Sequence, residues 1–335
     1  MDLTHRPKRT PRWLPGLLFL VLAGTLGVVA FDMTPEPVKQ WLGFSAQATS
    51  PTDMSGQATP QDAPVSGMAG DTQASPTVSP TPPPRVDHYW IDRPIGPDGQ
   101  NRVDYSYPYG SRGDGTLPIH RGVEFVNPSG TPIVAVAPGV IVYAGSDEDQ
   151  IVGARLGYYG LVVIEKLDRD LDGLPIYVVY GHMSEVLAEP GDSVETGQTI
   201  GLVGMTGIAM GPHVHMEVRV GRNDFAATAN SELWLRPLAG EGTLAGMICS
   251  SDGEPLAGIA LRVVRPSQPN LGIREVTTYP SREVNPDPYW GENFVCGDLD
   301  EGEYLLQVLR PGLSVSVPFT VVAGETSWLR VTIPS

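Results

Sequence analysis

GPHVHMEV, residues 211–218, sets His213 and His215 two positions apart in an otherwise apolar run. Alternation of this kind reads as a β-strand, in which residues i and i+2 point to the same face with Cα atoms ~6.5 Å apart. Two imidazoles so placed can share one site. They cannot easily both bind one metal ion at ~2.1 Å unless the strand geometry helps. One metal ligand and one histidine with a second role is the sensible division. The chain has six histidines, and four of them, His120, His182, His213 and His215, fall between residues 120 and 215.

The surrounding text is rich in short strands. GTPIVAVAPGVIVYAG (130–145), YGLVVIEKL (159–167), LPIYVVYGHM (174–183), QTIGLVG (198–204) and PHVHMEVRV (212–220) carry Val, Ile and Tyr and are bounded by Gly, Pro or Asp. No long stretch has helical periodicity. An all-β domain over residues 85–240 is the expectation. Residues 241–335 alternate in the same way, with turn signals such as SDGEP and AGE, and predict a second unit, a small antiparallel β-sandwich. It holds no histidine, so chemistry is not expected there. It loosely resembles the prealbumin-like or carboxypeptidase-regulatory-like modules, through the pattern around DGEPLAG (252–258).

In HRGVEF (120–125), His120 and Glu124 are four apart, but Gly122 and the following NPSG oppose a helix. Fully extended, their Cα atoms would be ~13 Å apart, too far for one ion. The chain must curl, and Gly122 is expected to supply that freedom. A loop histidine leading into a strand carboxylate meets the need.

The formal net charge is −16, so little is available to neutralise phosphates, and a nucleic acid or an anionic membrane surface is not an expected main partner. The basic residues Arg6, Lys8, Arg9 and Arg12 precede an uncharged run over 13–31, close to the ~20 residues that cross a bilayer as a helix. That run is read as a transmembrane anchor after a basic cytoplasmic segment, residues 1–12. A signal peptide ending at Ala30, leaving a secreted protein, is the alternative. Both readings put the remainder outside the cytoplasm. Trp41 and Phe44 suit an outer interfacial belt and favour the anchor. Residues 32–84 are read as a linker. Its portion from residue 45 has no aromatic, Leu or Ile and can reach at most ~130 Å.

Two further features are open. Cys249 and Cys296 fit an oxidising compartment and are candidates for a disulfide. DRDLDG (168–173) looks like the start of a calcium loop, but its twelfth position is Val179 rather than Glu, and Asp and Gly also serve a turn.

HRGVEF, VYGHM and GPHVHMEV together resemble the motifs H-x-x-x-D, Y-x-H and H-x-H of the lysostaphin/LytM-type zinc metallopeptidases, in that order. PYG before the first motif and PGDSVETGQTIGLVGMTG (190–207) resemble the family as well. The resemblance covers about residues 105–240. It implies a compact antiparallel β domain with a groove, one Zn2+, and hydrolysis of peptides in bacterial cell-wall peptidoglycan. Carried over, it implies His120, Glu124 and His215 as metal ligands and His182 and His213 as the catalytic pair. Tyr180, two before His182 on the expected strand, would face the same side and assist with substrate, unless it only packs. The family has Asp where this chain has Glu124, a side chain longer by one methylene. Degenerate family members act as regulators of other wall hydrolases, so a silent module that binds the wall or regulates another hydrolase is the alternative function.

Overall fold

The computed structural model describes residues 77–79, 86–113 and 115–334. The expected membrane span over 13–31 and nearly all of the 32–84 linker lie outside these residues. Among the described residues no helix is long and apolar enough to cross a membrane. The described chain is built from strands and two short 3-10 turns, at Phe225–Ala227 and Ser231–Leu233. All of it belongs to one compact unit, residues 70–335.

After a short β1 (Thr77–Ser79), the strands of the first half run in order: β2 (Val123–Val126), β3 (Pro132–Val134), β4 (Gly139–Ser146), β5 (Leu161–Leu171), β6 (Leu174–Val186), β7 (Ser193–Val194), β8 (Thr199–Val203), β9 (His213–Val220) and β10 (Thr228–Ala229). Strands β2 to β10 form one nine-stranded sheet with the backbone order β10-β9-β6-β5-β4-β7. The short β2 lies against β9, and β8 joins β3 to β6. All of these pairings are antiparallel.

Alternation along β9 divides its residues between two faces. Val214, Met216 and Val218 enter the main core with Phe125, Ile133, Val178 and Trp234. His213, His215, Glu217 and Arg219 form the opposite row. The register sets Glu124 opposite His215 and Val126 opposite His213 on β2, and Gly181 opposite His215 on β6. Cross-strand partners have Cβ atoms ~5 Å apart. The sheet therefore brings Glu124 to the histidines without any help from helices.

Strands β5 and β6 are joined by a tight turn at Asp172 and Gly173, with φ of 52° and 84°. Two consecutive left-handed residues are the type I′ hairpin geometry that Asp-Gly favours. DRDLDG is thus the end of a strand and its turn, and the Asp172 carboxylate accepts a hydrogen bond from the Tyr289 hydroxyl.

The C-terminal strands are β11 (Glu241–Cys249), β12 (Ala260–Val264), β13 (Gly272–Thr277), β14 (Phe294–Asp300), β15 (Gly302–Arg310), β16 (Leu313–Val321) and β17 (Thr326–Thr332). They form two four-stranded sheets, in the orders β1-β17-β11-β14 and β13-β12-β15-β16. One shared core fills the space between them, with Leu244, Phe294 and Val331 from the first and Leu261, Leu306 and Val317 from the second. The expectation of purely antiparallel strands fails at one place. β11 and β17 pair in parallel, because the chain between them crosses through both sheets before it returns.

The disulfide candidate also fails. Cys296 is in register with Leu244, five residues from Cys249 along β11 and hence ~17 Å away. Both cysteines are buried and free.

Candidate metal centre

His120 enters the site from a loop that the backbone ties at both ends. The Gly110 amide donates to the His120 carbonyl at 2.9 Å, and the His120 amide donates to the Ser111 carbonyl at 2.9 Å. The Tyr107 ring stacks on the imidazole, with centroids 4.3 Å apart and planes 13° off parallel. The imidazole Nδ1 is buried with no hydrogen-bond partner among the described residues. Gly122 makes the curl possible by close approach and not by an unusual φ. A Cβ there would lie 2.4 Å from the Met216 carbonyl oxygen and 2.7 Å from His215 Cε1.

Three side-chain atoms that could hold a metal ion converge. His120 Nε2 and Glu124 Oε1 are 2.8 Å apart, and His120 Nε2 and His215 Nδ1 are 3.2 Å apart. His215 Nδ1 and Glu124 Oε1 are 3.1 Å apart. A tetrahedral Zn2+ with bonds of ~2.0–2.1 Å sets neighbouring ligand atoms ~3.3 Å apart. The two nitrogens and one oxygen thus match the donor types and nearly the edges of such a site. Among the described residues this is the one group of His, Cys, Asp or Glu side chains placed to hold a metal ion.

The far side of His215 carries a partner that reading the sequence did not identify. Its Nε2 lies 3.4 Å from Glu217 Oε1. Glu217 is fully buried, receives a hydrogen bond from the Tyr159 hydroxyl, and is bound by Arg219 through Nε at 2.8 Å. A carboxylate behind a ligating histidine fixes the ring and its tautomer. The signal was present in the strand alternation, because Glu217 stands two after His215.

His182 and His213 complete the cluster, with ring centroids 4.7 Å apart. One loop orients both. His182 Nδ1 donates to the Thr206 carbonyl at 2.7 Å, and His213 Nδ1 donates to the Gly211 carbonyl at 2.8 Å. His182 is left with a free Nε2 lone pair. His213 Nε2 meets Glu124 Oε2 at 2.8 Å, so both of its nitrogens face acceptors.

The electrostatics follow this division. Burial opposes charge on Glu124, His182, His213 and His215. For His182, burial together with the neighbouring His215 and His213 pushes the pKa down to about 4, leaving it neutral near pH 7. For His213, burial is outweighed by the hydrogen bond and charge of Glu124, and its pKa is raised. Burial of Glu124 is likewise outweighed, by the charge on His215 and by hydrogen bonds from His120, His213 and His215, so its carboxyl is held well below the ordinary range. For His215 the charge and hydrogen bond of Glu124 overcome burial and lift the pKa to about 9.

Tyr180 does not join them. It is fully buried, its hydroxyl donates to Glu165, and it accepts from the Val136 amide at 3.1 Å. The expected shared face with His182 requires extended backbone between them. His182 instead has a φ of 61°, and the β5–β6 register shifts between Leu161 and Val163, opposite this point. The extra residue reverses the alternation. Tyr180 is a core residue and His182 alone turns to the site.

The sequence profile described as Peptidase family M23 matches residues 118–227, which hold all five site residues. The match is confined to that segment, about a third of the chain. It is 37% identical over 112 residues to the peptidoglycan DD-endopeptidase ShyA of Vibrio cholerae serotype O1, covering 33% of this chain and 23% of that protein. It is 33% identical over 147 residues to lysostaphin of Staphylococcus staphylolyticus, covering 42% of this chain and 26% of that protein. The solved catalytic domain of lysostaphin from Staphylococcus simulans shares 30% identity, with 39% of this chain and 88% of that domain covered and a TM-score of 0.32. The chain spans about a fifth to a quarter of the curated relatives it matches.

Proposed function

We propose that the protein is a zinc-dependent endopeptidase that hydrolyses peptide bonds in cell-wall peptidoglycan. The observation that carries the reading is the convergence of His120 Nε2, Glu124 Oε1 and His215 Nδ1, all within 3.2 Å of one another, beside two histidines turned toward the same space. His120, Glu124 and His215 would hold the ion. Zn2+ bound there would activate water and polarise the substrate carbonyl.

The chain's own residues divide the remaining work. His182, neutral and with Nε2 free, takes a proton from the attacking water and passes it to the leaving amine. His213, a donor through Nε2, stabilises negative charge growing on the carbonyl oxygen. The loop that supplies the Thr206 and Gly211 carbonyls fixes which nitrogen of each ring is presented. Peptidoglycan as substrate is supported by the relatives, among them a peptidoglycan DD-endopeptidase. In the same reading, residues 13–31 anchor the chain in the membrane, with residues 32–84 as a tether and the peptidase outside the cytoplasm. Protease added to spheroplasts should then release the folded head.

A silent module is favoured by one observation, the contact of Glu124 Oε2 with His213 Nε2 at 2.8 Å. That contact engages the nitrogen that would meet substrate. Digestion of purified peptidoglycan by the wild type and by the His182→Ala and His213→Ala variants separates the readings. An active wild type with turnover lowered ~10²- to 10³-fold in each variant supports the enzyme. Zinc-loaded wild type that releases no peptide supports the silent module.

A further inference from the structure

We propose that the C-terminal half is not an independent appendage, but that its segment Tyr279–Asn285 positions the loop that carries His120. The inference rests on the metal reading only for its consequence, and on contacts alone for the clamp itself.

The contacts form a continuous path. Tyr109, Tyr279 and Val284 bury one another in a small core of their own, with Ile119 packed against it. The rings of Tyr109 and Tyr279 meet edge to face at 5.6 Å. The Tyr109 hydroxyl sits between two carbonyl oxygens, Thr228 at 3.0 Å and Asn285 at 3.1 Å. Asn285 Nδ2 donates to the carbonyls of Ala226 at 2.8 Å and Thr228 at 2.9 Å, next to β10. Arg121 donates to the Glu283 carbonyl. The segment is thereby fastened both to the sheet that carries His215 and to the residues on either side of His120.

Gly110 shows how close the approach is. Its φ is 76°, and a Cβ on it would lie 2.7 Å from Tyr279 Cδ1. The amide of this glycine holds the His120 carbonyl. Tyr279 in turn is fixed from behind, where its hydroxyl donates to Glu292 at 2.7 Å and accepts from Asn230 at 3.1 Å. Displacing Tyr279 or Val284 leaves Tyr109 and Gly110 without a wall, and His120 loses the backbone partner that sets its position. Metal affinity depends on such support, and losing it typically costs 10- to 100-fold.

The test uses the full chain with two clamp variants, Tyr109→Phe and Val284→Ala, and one control. Leu306→Ala empties the core between the two C-terminal sheets, away from the clamp. Amide hydrogen exchange is measured at Gly110 and His120 without metal, and Co2+ affinity is measured by absorption. The clamp predicts exchange faster by about tenfold or more at both amides, and Co2+ binding weaker by about tenfold, in the clamp variants but not in Leu306→Ala. Unchanged exchange at Gly110 and His120 in both clamp variants would overturn it, as would an equal loss of Co2+ affinity in Leu306→Ala. The exchange rates decide the clamp whether or not the wild type takes up Co2+, so a failure of the metal reading shows separately.

Discussion

Glu124 and His215 stand directly opposite one another on β2 and β9, and Glu124 uses both of its oxygens: Oε1 lies 3.1 Å from His215 Nδ1, and Oε2 lies 2.8 Å from His213 Nε2. One carboxylate thereby spans the two strand histidines. Shortening it is informative. Glu124→Asp is expected to keep the group of three ligands but to release His213, whose pKa is raised by this hydrogen bond and charge. NMR titration of the metal-free variant should show the His213 ring titrating at lower pH than in the wild type. An unchanged titration would mean that Glu124 does not control His213.

Glu217 offers a second test. Glu217→Gln keeps the shape but weakens the acceptor behind His215 Nε2, and it leaves the buried Arg219 without its charge partner. Metal affinity is expected to fall 10- to 100-fold with His120, Glu124 and His215 all intact. Competition with a chelator measures this, and wild-type affinity in the variant would assign Glu217 to packing alone.

The sequence alone made much of this site legible, because strand alternation is a local rule. His213 and His215 do share a face, and a loop histidine does lead into a strand carboxylate. Glu217 obeys the same rule one step further along β9. Tyr180 was misplaced because the rule assumes extended backbone, and His182 with its φ of 61° breaks it. The contact of Glu124 with His213 depends on a side-chain rotamer. The docking of Tyr279–Asn285 against Tyr109 depends on packing between segments more than 150 residues apart. Neither leaves a periodic signal in the chain.

Stability should depend on pH through Glu165. Burial pushes its pKa from 4.5 up to about 7, only partly offset by the hydrogen bond from Tyr180. Between about pH 4.5 and pH 7 the unfolded chain releases a proton that the folded chain retains. This group's stabilisation is therefore complete below 4.5, falls across the window, and is lost above about 7. The loss is ~3 kcal/mol at ~1.4 kcal/mol per pKa unit. Glu165→Gln should remove this component, so its stability relative to the wild type should improve steadily as pH rises from 4.5 to 7. Chemical denaturation of both proteins across this range measures the difference, and a constant difference would contradict the assignment.

If His120, Glu124 and His215 make one metal site, metal analysis of the full chain reveals it. Protein purified without chelator, and the same protein titrated with Zn2+, should hold one equivalent. His120→Ala and His215→Ala should each lose it, since two protein ligands remain. His182→Ala and His213→Ala should keep it. One equivalent of zinc in the wild type, absent only from the two ligand variants, is the predicted result. No zinc in native or titrated wild-type protein, or zinc lost from His213→Ala and retained in His215→Ala, would show that these three side chains do not make the site.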